Sequence, residues 1–519
     1  MVLVAALALA AGVAGAAAPP QTRVQGGTLR VALAKDLVTL DPTFALDNYS
    51  QQVIDQVFDT LVTYAPDGTL RPRLATKWRA ISNLEWEFTL RPGVKFHNGR
   101  EVTADDVVWT MNRMLDPKTK APRQQLFMVS VVQKTGQYAV RFLLNRPYAP
   151  FLSVLANRQL SILPHEEVER LGDAFARNPV GTGPFKFASW QVGEGVALVR
   201  NPDYFFGPSP LDRVTFRPVP ETAVAQQLLE TGDMDVIADV LPDDVARLQR
   251  LGLLQIVPGT SYFYALFNLD PARAPIVKTL GKNPFLDKRV REAITMAFPI
   301  DRALAAVYPG LGPSIRAYGP LPPTNWAYDP KLKDLAPKYD PAGAKRLMAE
   351  AGYPNGFQST ILSMNDAARL AMAQILQNSI AQIGVKVSIE APEFGVLLHN
   401  ANEQTFDIGV FGWGGSPDPN DFLFPLLDTA RRGYGGNNAY YSNPQVDRLL
   451  DRASITTNQS LRKSLYWQVQ EIFAQDYVHI PLFFKPSILG TSKRVEGLKV
   501  DPLGYFRLKT EEATVWMTP

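Results

Sequence analysis

The stretch "LDRVTFRPVPETAVAQQLLETGDMDVIADVLPDDVARLQRLG", residues 211–252, decides the fold class. "LDRVTFRPV" reads as a strand, "ETAVAQQLLETG" as a helix stopping on Gly232, "MDVIAD" as a second strand and "PDDVARLQRLG" as a second helix stopping on Gly252. The next strand is "SYFYALFNLD", 261–270. Short strands alternating with helices make βα units and hence an α/β fold, whose ligands lie at the carboxyl ends of the strands.

The same rhythm extends in both directions. Toward the N-terminus, "GGTLRVALAKDLVTLDP" gives a strand from Leu29 to Leu33 and a loop ending at Asp41-Pro42. "QQVIDQVFDTLVTY" then places Val53, Ile54, Val57, Phe58 and Leu61 on one helical stripe. Residues 65–100 break the pattern with hairpin-like stretches such as "LEWEFTLR". A helix follows, capped by Thr103, with Asp105 and Asp106 in its positive first turn, where carboxylates serve the cap and dipole rather than acid catalysis. In "NPVGTGPFKFASW" (178–190), Gly181 and Gly183 read as turn formers, since Pro184 blocks the helix start a phosphate loop needs. Beyond 283 come helices, a linker over 308–330, a helix capped by Asp340 and stopped by Gly352, and the buried strand "FDIGVFGW". Two more helices and "HIPLFF" close the chain.

With 519 residues the chain exceeds the roughly 250–300 residues that one core supports, so two large lobes are expected. Apolar residues make up 46% and charged ones 20%, and 53 basic against 50 acidic residues are interspersed without a run of five like charges. Nucleic acid has no electrostatic footprint to use here. Cysteine is absent, which excludes disulfides, thiolate nucleophiles and Cys-ligated metals. "MVLVAALALAAGVAGAAAPPQ" resembles a secretory signal peptide over residues 1–18, although no Lys or Arg precedes its apolar run; export followed by cleavage is expected, with a retained anchor as the rival.

Catalytic constellations do not emerge. His97, His165, His399 and His479 are scattered without metal-ligand spacing, and His97 reads as a structural hydrogen-bonding residue. Ser416, in "GGSPD", is not the G-x-S-x-G elbow because Asp418 replaces the last glycine. No metal and no cofactor is expected. Binding fits the material better: Trp413 as an aromatic plate, with Ser416 and Asp418 as polar acceptors at a strand end, and Tyr262, Tyr264 and Asn268 at period two as a second wall. The plainer reading has Trp413 and the tyrosines filling core.

Several segments together resemble the extracytoplasmic solute-binding proteins of ABC importers, family 5, which includes dipeptide-, oligopeptide- and nickel-binding proteins. They are "LRPGVKFHNGREVTADDVVWTMNR" (90–113), "NPVGTGPFKFASW" (178–190), "NPDYF" (201–205), "VREAITMAFPIDR" (290–302), "GWGGSPDPNDF" (412–422) and "YSNPQVDRLL" (441–450). The resemblance implies a two-lobed periplasmic-binding-protein fold, type II, cluster C, with a small α+β domain inserted at 61–177. Lobe one would comprise 24–60, 178–274 and 481–519, and lobe two 275–480. Ligand would be enclosed by hinge closure and delivered to an ABC permease in the inner membrane, the binder acting as a periplasmic monomer. The lobe-one loop "LDNY" (46–49) would bring Asp47, Asn48 and Tyr49 to the ligand. In peptide binders an aspartate after "GW" pairs with the ligand's amino group; Ser416 stands nearest that place, with Asp418 in the following "DP". Dipeptide binders also place an arginine before the helix at 368–382, and "LSMND" (362–366) holds none. Both charged anchors of a free dipeptide are then missing, which keeps a neutral, sugar-like ligand on Trp413 open beside a peptide. A secreted hydrolase acting on the same solute is the alternative function.

Overall fold

The computed structural model describes residues 25–121, 126–238, 240–414, 417–433, 436–501 and 503–519. The expected signal peptide and Ser416 lie outside the described residues. The βα run takes the form read from sequence: strand Arg213–Pro218, helix Thr222–Thr231, strand Val236–Ile237, helix Val245–Leu251 and strand Leu254–Phe267. Thr28–Leu33 lies between Arg213–Pro218 and Val236–Ile237, parallel to both. The hairpin Phe185–Gln191 and Gly195–Arg200 extends that edge.

All these strands belong to one ten-stranded sheet. Its middle is an antiparallel pair of unusual length, Leu254–Phe267 and His479–Thr491, of 14 and 13 residues. The pairing loses register between Val257 and Ser261. Before the break, Leu254–Val257 faces 487–490, and Gly490 and Thr491 pair with Ile237 and Val236. After it, 261–267 faces 479–485 on one side and Ile408–Trp413 on the other, and Phe357–Ser363 and Val385–Glu390 continue the sheet. Each long strand is therefore shared by the two ends of the sheet. Pro258 and Pro486, which have no N–H to pair, stand at the crossing. A Cβ on Gly259 would lie 1.7 Å from the Lys485 carbonyl oxygen, so only glycine permits this approach.

Separate cores mark the two ends. Leu29, Val31, Val53, Ile54, Val214, Phe216 and Leu489 pack with Val495, Phe506 and Val515 of the C-terminal segment. At the other end, alternate residues of one strand feed opposite layers: Phe263, Ala265 and Phe267 face helices Lys288–Ala297 and Ala367–Ile380, while Tyr262, Tyr264 and Leu266 face helices Pro444–Ile455 and Gln459–Asp476. A four-stranded antiparallel sheet, formed by Ala75–Ser82, Glu85–Leu90, Ala139–Leu144 and Val129–Gly136, holds a third core with helix Ala104–Leu115.

Buried ion pairs tie this small unit to the first core. Asp59 pairs with Arg73, and Asp55 with Arg158 and Arg507. Arg158 also meets Asp501 at 2.5 Å. Burial alone raises the Asp55 pKa, but Arg158 and Arg507 outweigh it and hold the carboxyl down at about 2. Such pairs add little net stability, but removing one partner strands the other charge. His97 is structural, as read: Gly181 N donates to its Nδ1 at 3.3 Å, and its Nε2 lies 3.0 Å from the Gly183 carbonyl oxygen.

Candidate functional site

Where the two ends of the sheet face one another, a cleft of about 470 Å³ opens. The first half lines it with Asn48, Tyr49, Gln52 and Tyr505, and the second with Phe263, Tyr308, Asp366 and Arg369. Lys485 and Ser487, from the crossing itself, form its floor. Asp366 and Arg369 follow the carboxyl end of strand Phe357–Ser363, the place where α/β sheets hold ligands.

Arg369 is the group that sequence reading missed. Asp366 caps helix Ala367–Ile380, accepting from Arg369 N at 3.2 Å, so the arginine sits in the first helical turn. Its side chain is 14% exposed and its Nε donates to Asp366. The guanidinium stacks 4.2 Å over the Phe263 ring. Among the described residues, nothing accepts a hydrogen bond from Nη2. Gly412, of the "GW" pair, makes room: a Cβ there would stand 2.9 Å from Arg369 Nη1 and 2.9 Å from the Phe263 ring. The segment 362–366 holds no arginine, as read, but the helix that follows brings one to the same strand end three residues further on.

The other expected site residues separate into two groups. Asn48 and Tyr49 line the cleft, and Asn48 Oδ1 accepts from the Tyr505 hydroxyl at 2.9 Å. Asp47 instead caps helix Asn48–Val57, accepting from Ser50 N at 2.7 Å. Tyr262 and Tyr264 are sealed in the core, stacked at 4.8 Å, and Tyr264 stacks in turn on His479 at 4.3 Å. They form no wall of the cleft because their strand is covered on both faces, and Phe263 holds the cleft side. Asn268, fully buried, donates to the Gln404 and Phe406 carbonyl oxygens at 3.1 and 2.7 Å. Trp413 packs against the second-half core and donates its indole N–H to the Asp421 carbonyl at 2.8 Å. It is half-buried and does not line this cleft.

Asp418 is likewise scaffold. Its side chain is 5% exposed and paired with Arg462 at 2.8 Å. Ser153 of the small unit reaches it at 3.3 Å. It borders another cavity, of about 420 Å³, walled by Trp78, Trp86 and Trp326. Asp106, His165 and Glu166 gather closely enough to hold a cation, but Arg100 spans the two carboxylates, at 2.5 Å to Asp106 and 2.7 Å to Glu166. Asp105 and Asp106 serve helix Ala104–Leu115 as read, Asp106 accepting from Thr103 N at 2.9 Å.

A cleft between two sheet halves joined through a pair of crossing strands, with a largely buried guanidinium that keeps a donor free among polar groups, defines a two-lobed solute-binding protein. Residues 69–434 match the family described as bacterial extracellular solute-binding proteins, family 5 Middle, and the chain belongs to that family. It is 31% identical to heme-binding protein A of Haemophilus influenzae, over 91% of this chain and 90% of that one. It is 30% identical to the probable di/tripeptide-binding protein 5 of Pseudomonas aeruginosa, over 87% and 88%. The structure of HbpA2 from Haemophilus parasuis superposes with a TM-score of 0.84 at 28% identity, covering 95% of this chain and all of that one. The fold is thus the two-lobed binding-protein fold, and the chain is a substrate-binding component of an ABC importer rather than a member of an enzyme family. Among the described residues, no helix is long and apolar enough to cross a membrane.

Proposed function

We propose that this protein works in the periplasm, after loss of residues 1–18, capturing a peptide or another polar organic solute that bears a carboxylate. The single observation behind this reading is Arg369: a largely buried cation with a free donor facing the cleft, which a carboxylate would pair with and hydrogen-bond. Across the cleft, Asn48, Gln52, Tyr49 and Tyr505 supply polar partners for a peptide backbone, and Asp366 a carboxylate for an amino group. A sugar-like ligand stacked on Trp413 loses its support, because that indole is engaged in packing.

Lobe closure would turn about 258–260 and 485–487, where the long strands change partners. That crossing argues for lobe boundaries inside the two strands, rather than at 274/275 and 480/481. The small unit at 61–177, with its own core, would act as the inserted domain. Closed and loaded, the protein would dock as a monomer on its permease and release the solute unchanged, without catalysis. Calorimetric titration with di- and tripeptides, their C-terminal amides and hemin tests the reading. Free-carboxylate peptides should bind, and their amides should bind about tenfold more weakly or worse. Equal affinity for acid and amide, or hemin binding that Arg369→Gln leaves unchanged, would overturn it.

A further inference from the structure

A separate cavity, of about 390 Å³, lies on the second half of the molecule and shares no lining residue with the interlobe cleft. Helix Ile300–Val307, the segment 332–339, the end of helix Gln459–Asp476 and the start of strand His479–Thr491 enclose it. Its size falls within the range of small-molecule sites.

The lining has a consistent chemistry. Four cations, Arg302, Arg316, Lys333 and Lys338, line it alongside one carboxylate, Asp301. Arg316 is 12% exposed and pairs with that Asp301, which is itself 68% exposed and so a weakly held, exchangeable counterion. Phe298, Leu335, Tyr339 and Phe473 supply apolar and aromatic wall. His479 also lines the cavity; its ring is buried and stacked 4.3 Å from Tyr264, so it adds aromatic wall.

We propose that this cavity is a second binding site, for an amphipathic monocarboxylate: an aromatic or branched apolar body against Phe298, Tyr339 and Phe473, with its carboxylate on Arg316 in place of Asp301. The site is independent of the cleft, so its fate and that of the peptide reading separate experimentally.

The test is calorimetric titration with 3-phenylpropionate, 4-methylvalerate and 3-phenylpropionamide on the full mature chain. Saturable binding of at least one acid below about 10 mM, with the amide about tenfold weaker, is expected, and Arg369→Gln should leave it unchanged. Arg316→Gln should weaken the acid about tenfold. Asp301→Asn, at an exposed position that does not threaten folding, should tighten it by freeing Arg316. Absence of saturable binding for both acids overturns the proposal. So does binding that Arg369→Gln abolishes, which would place the acids in the cleft, or binding that Asp301→Asn does not strengthen.

Discussion

Replacing Asp418 by asparagine separates a scaffold role from a ligand role at the centre of the "GGSPDP" loop. Arg462 Nη2 donates to the two Asp418 carboxylate oxygens at 2.8 and 3.1 Å, and to the Tyr466 hydroxyl at 3.0 Å. The paired side chains are 5% and 8% exposed. Burial alone would lower the Arg462 pKa; Asp418 outweighs burial and raises it. Removing one partner of a buried pair strands the other charge, at a cost of about 3–5 kcal/mol. An amide keeps one acceptor, so about 3 kcal/mol is expected for Asp418→Asn. Urea unfolding followed by tryptophan fluorescence reads this loss, and Trp326, whose ring lies 5.3 Å from the Arg462 guanidinium, is a local reporter. Adding Arg462→Met removes the stranded charge and should recover much of the stability. Ligand affinity by titration should stay within about threefold of wild type. An affinity loss beyond about tenfold with an unchanged urea midpoint would refute the reasoning and return Asp418 to the ligand.

Arg369→Gln should weaken a carboxylate-bearing ligand by about 10- to 100-fold while moving stability by less than about 1 kcal/mol, since Asp366 is left partly solvated; titration and a thermal melt check the two halves. Trp413→Phe keeps an aromatic ring but loses the indole N–H bond to the Asp421 carbonyl, so about 1 kcal/mol of stability should go with affinity preserved, as calorimetry and urea midpoints would show. For His479, burial pushes the pKa down to about 3. The unfolded chain then takes up a proton below about pH 6.5 that the native protein refuses, so this contribution is complete above pH 6.5 and is lost as pH falls toward 3. Urea midpoints should drop from pH 7 to pH 4, and His479→Phe should flatten that slope.

The fold was largely readable because its signals are local. Gly232 and Gly252 end their helices in left-handed conformations, Thr103 and Asp340 begin theirs, and the period of each segment names its type. The site was less readable because its geometry is not local. Tyr262 and Tyr264 alternate with Phe263, but a strand covered on both faces gives no sign of which alternation meets the cleft. Asp418 looks like an exposed turn residue until Arg462, 44 positions later, is folded against it. Arg369 could have been found from Asp366, a capping residue directly after a strand, which puts the third helical residue at the strand's mouth.

The long antiparallel pair has a consequence for how the chain comes to be made. Residues near Leu29 find their partners at Leu489, Val495, Phe506 and Val515, so the first unit to emerge from a ribosome or an export channel is the last to be completed. The segment between has its own cores and can mature while the leading strands wait unpaired. Contacts spanning more than 450 positions, such as Gln52 Nε2 to the Phe506 carbonyl, cannot form until synthesis is almost finished, and such non-local contacts form more slowly than local ones. Vectorial delivery thus leaves half-built, apolar sheet edge exposed until the tail arrives, the state in which a chain is most open to aggregation.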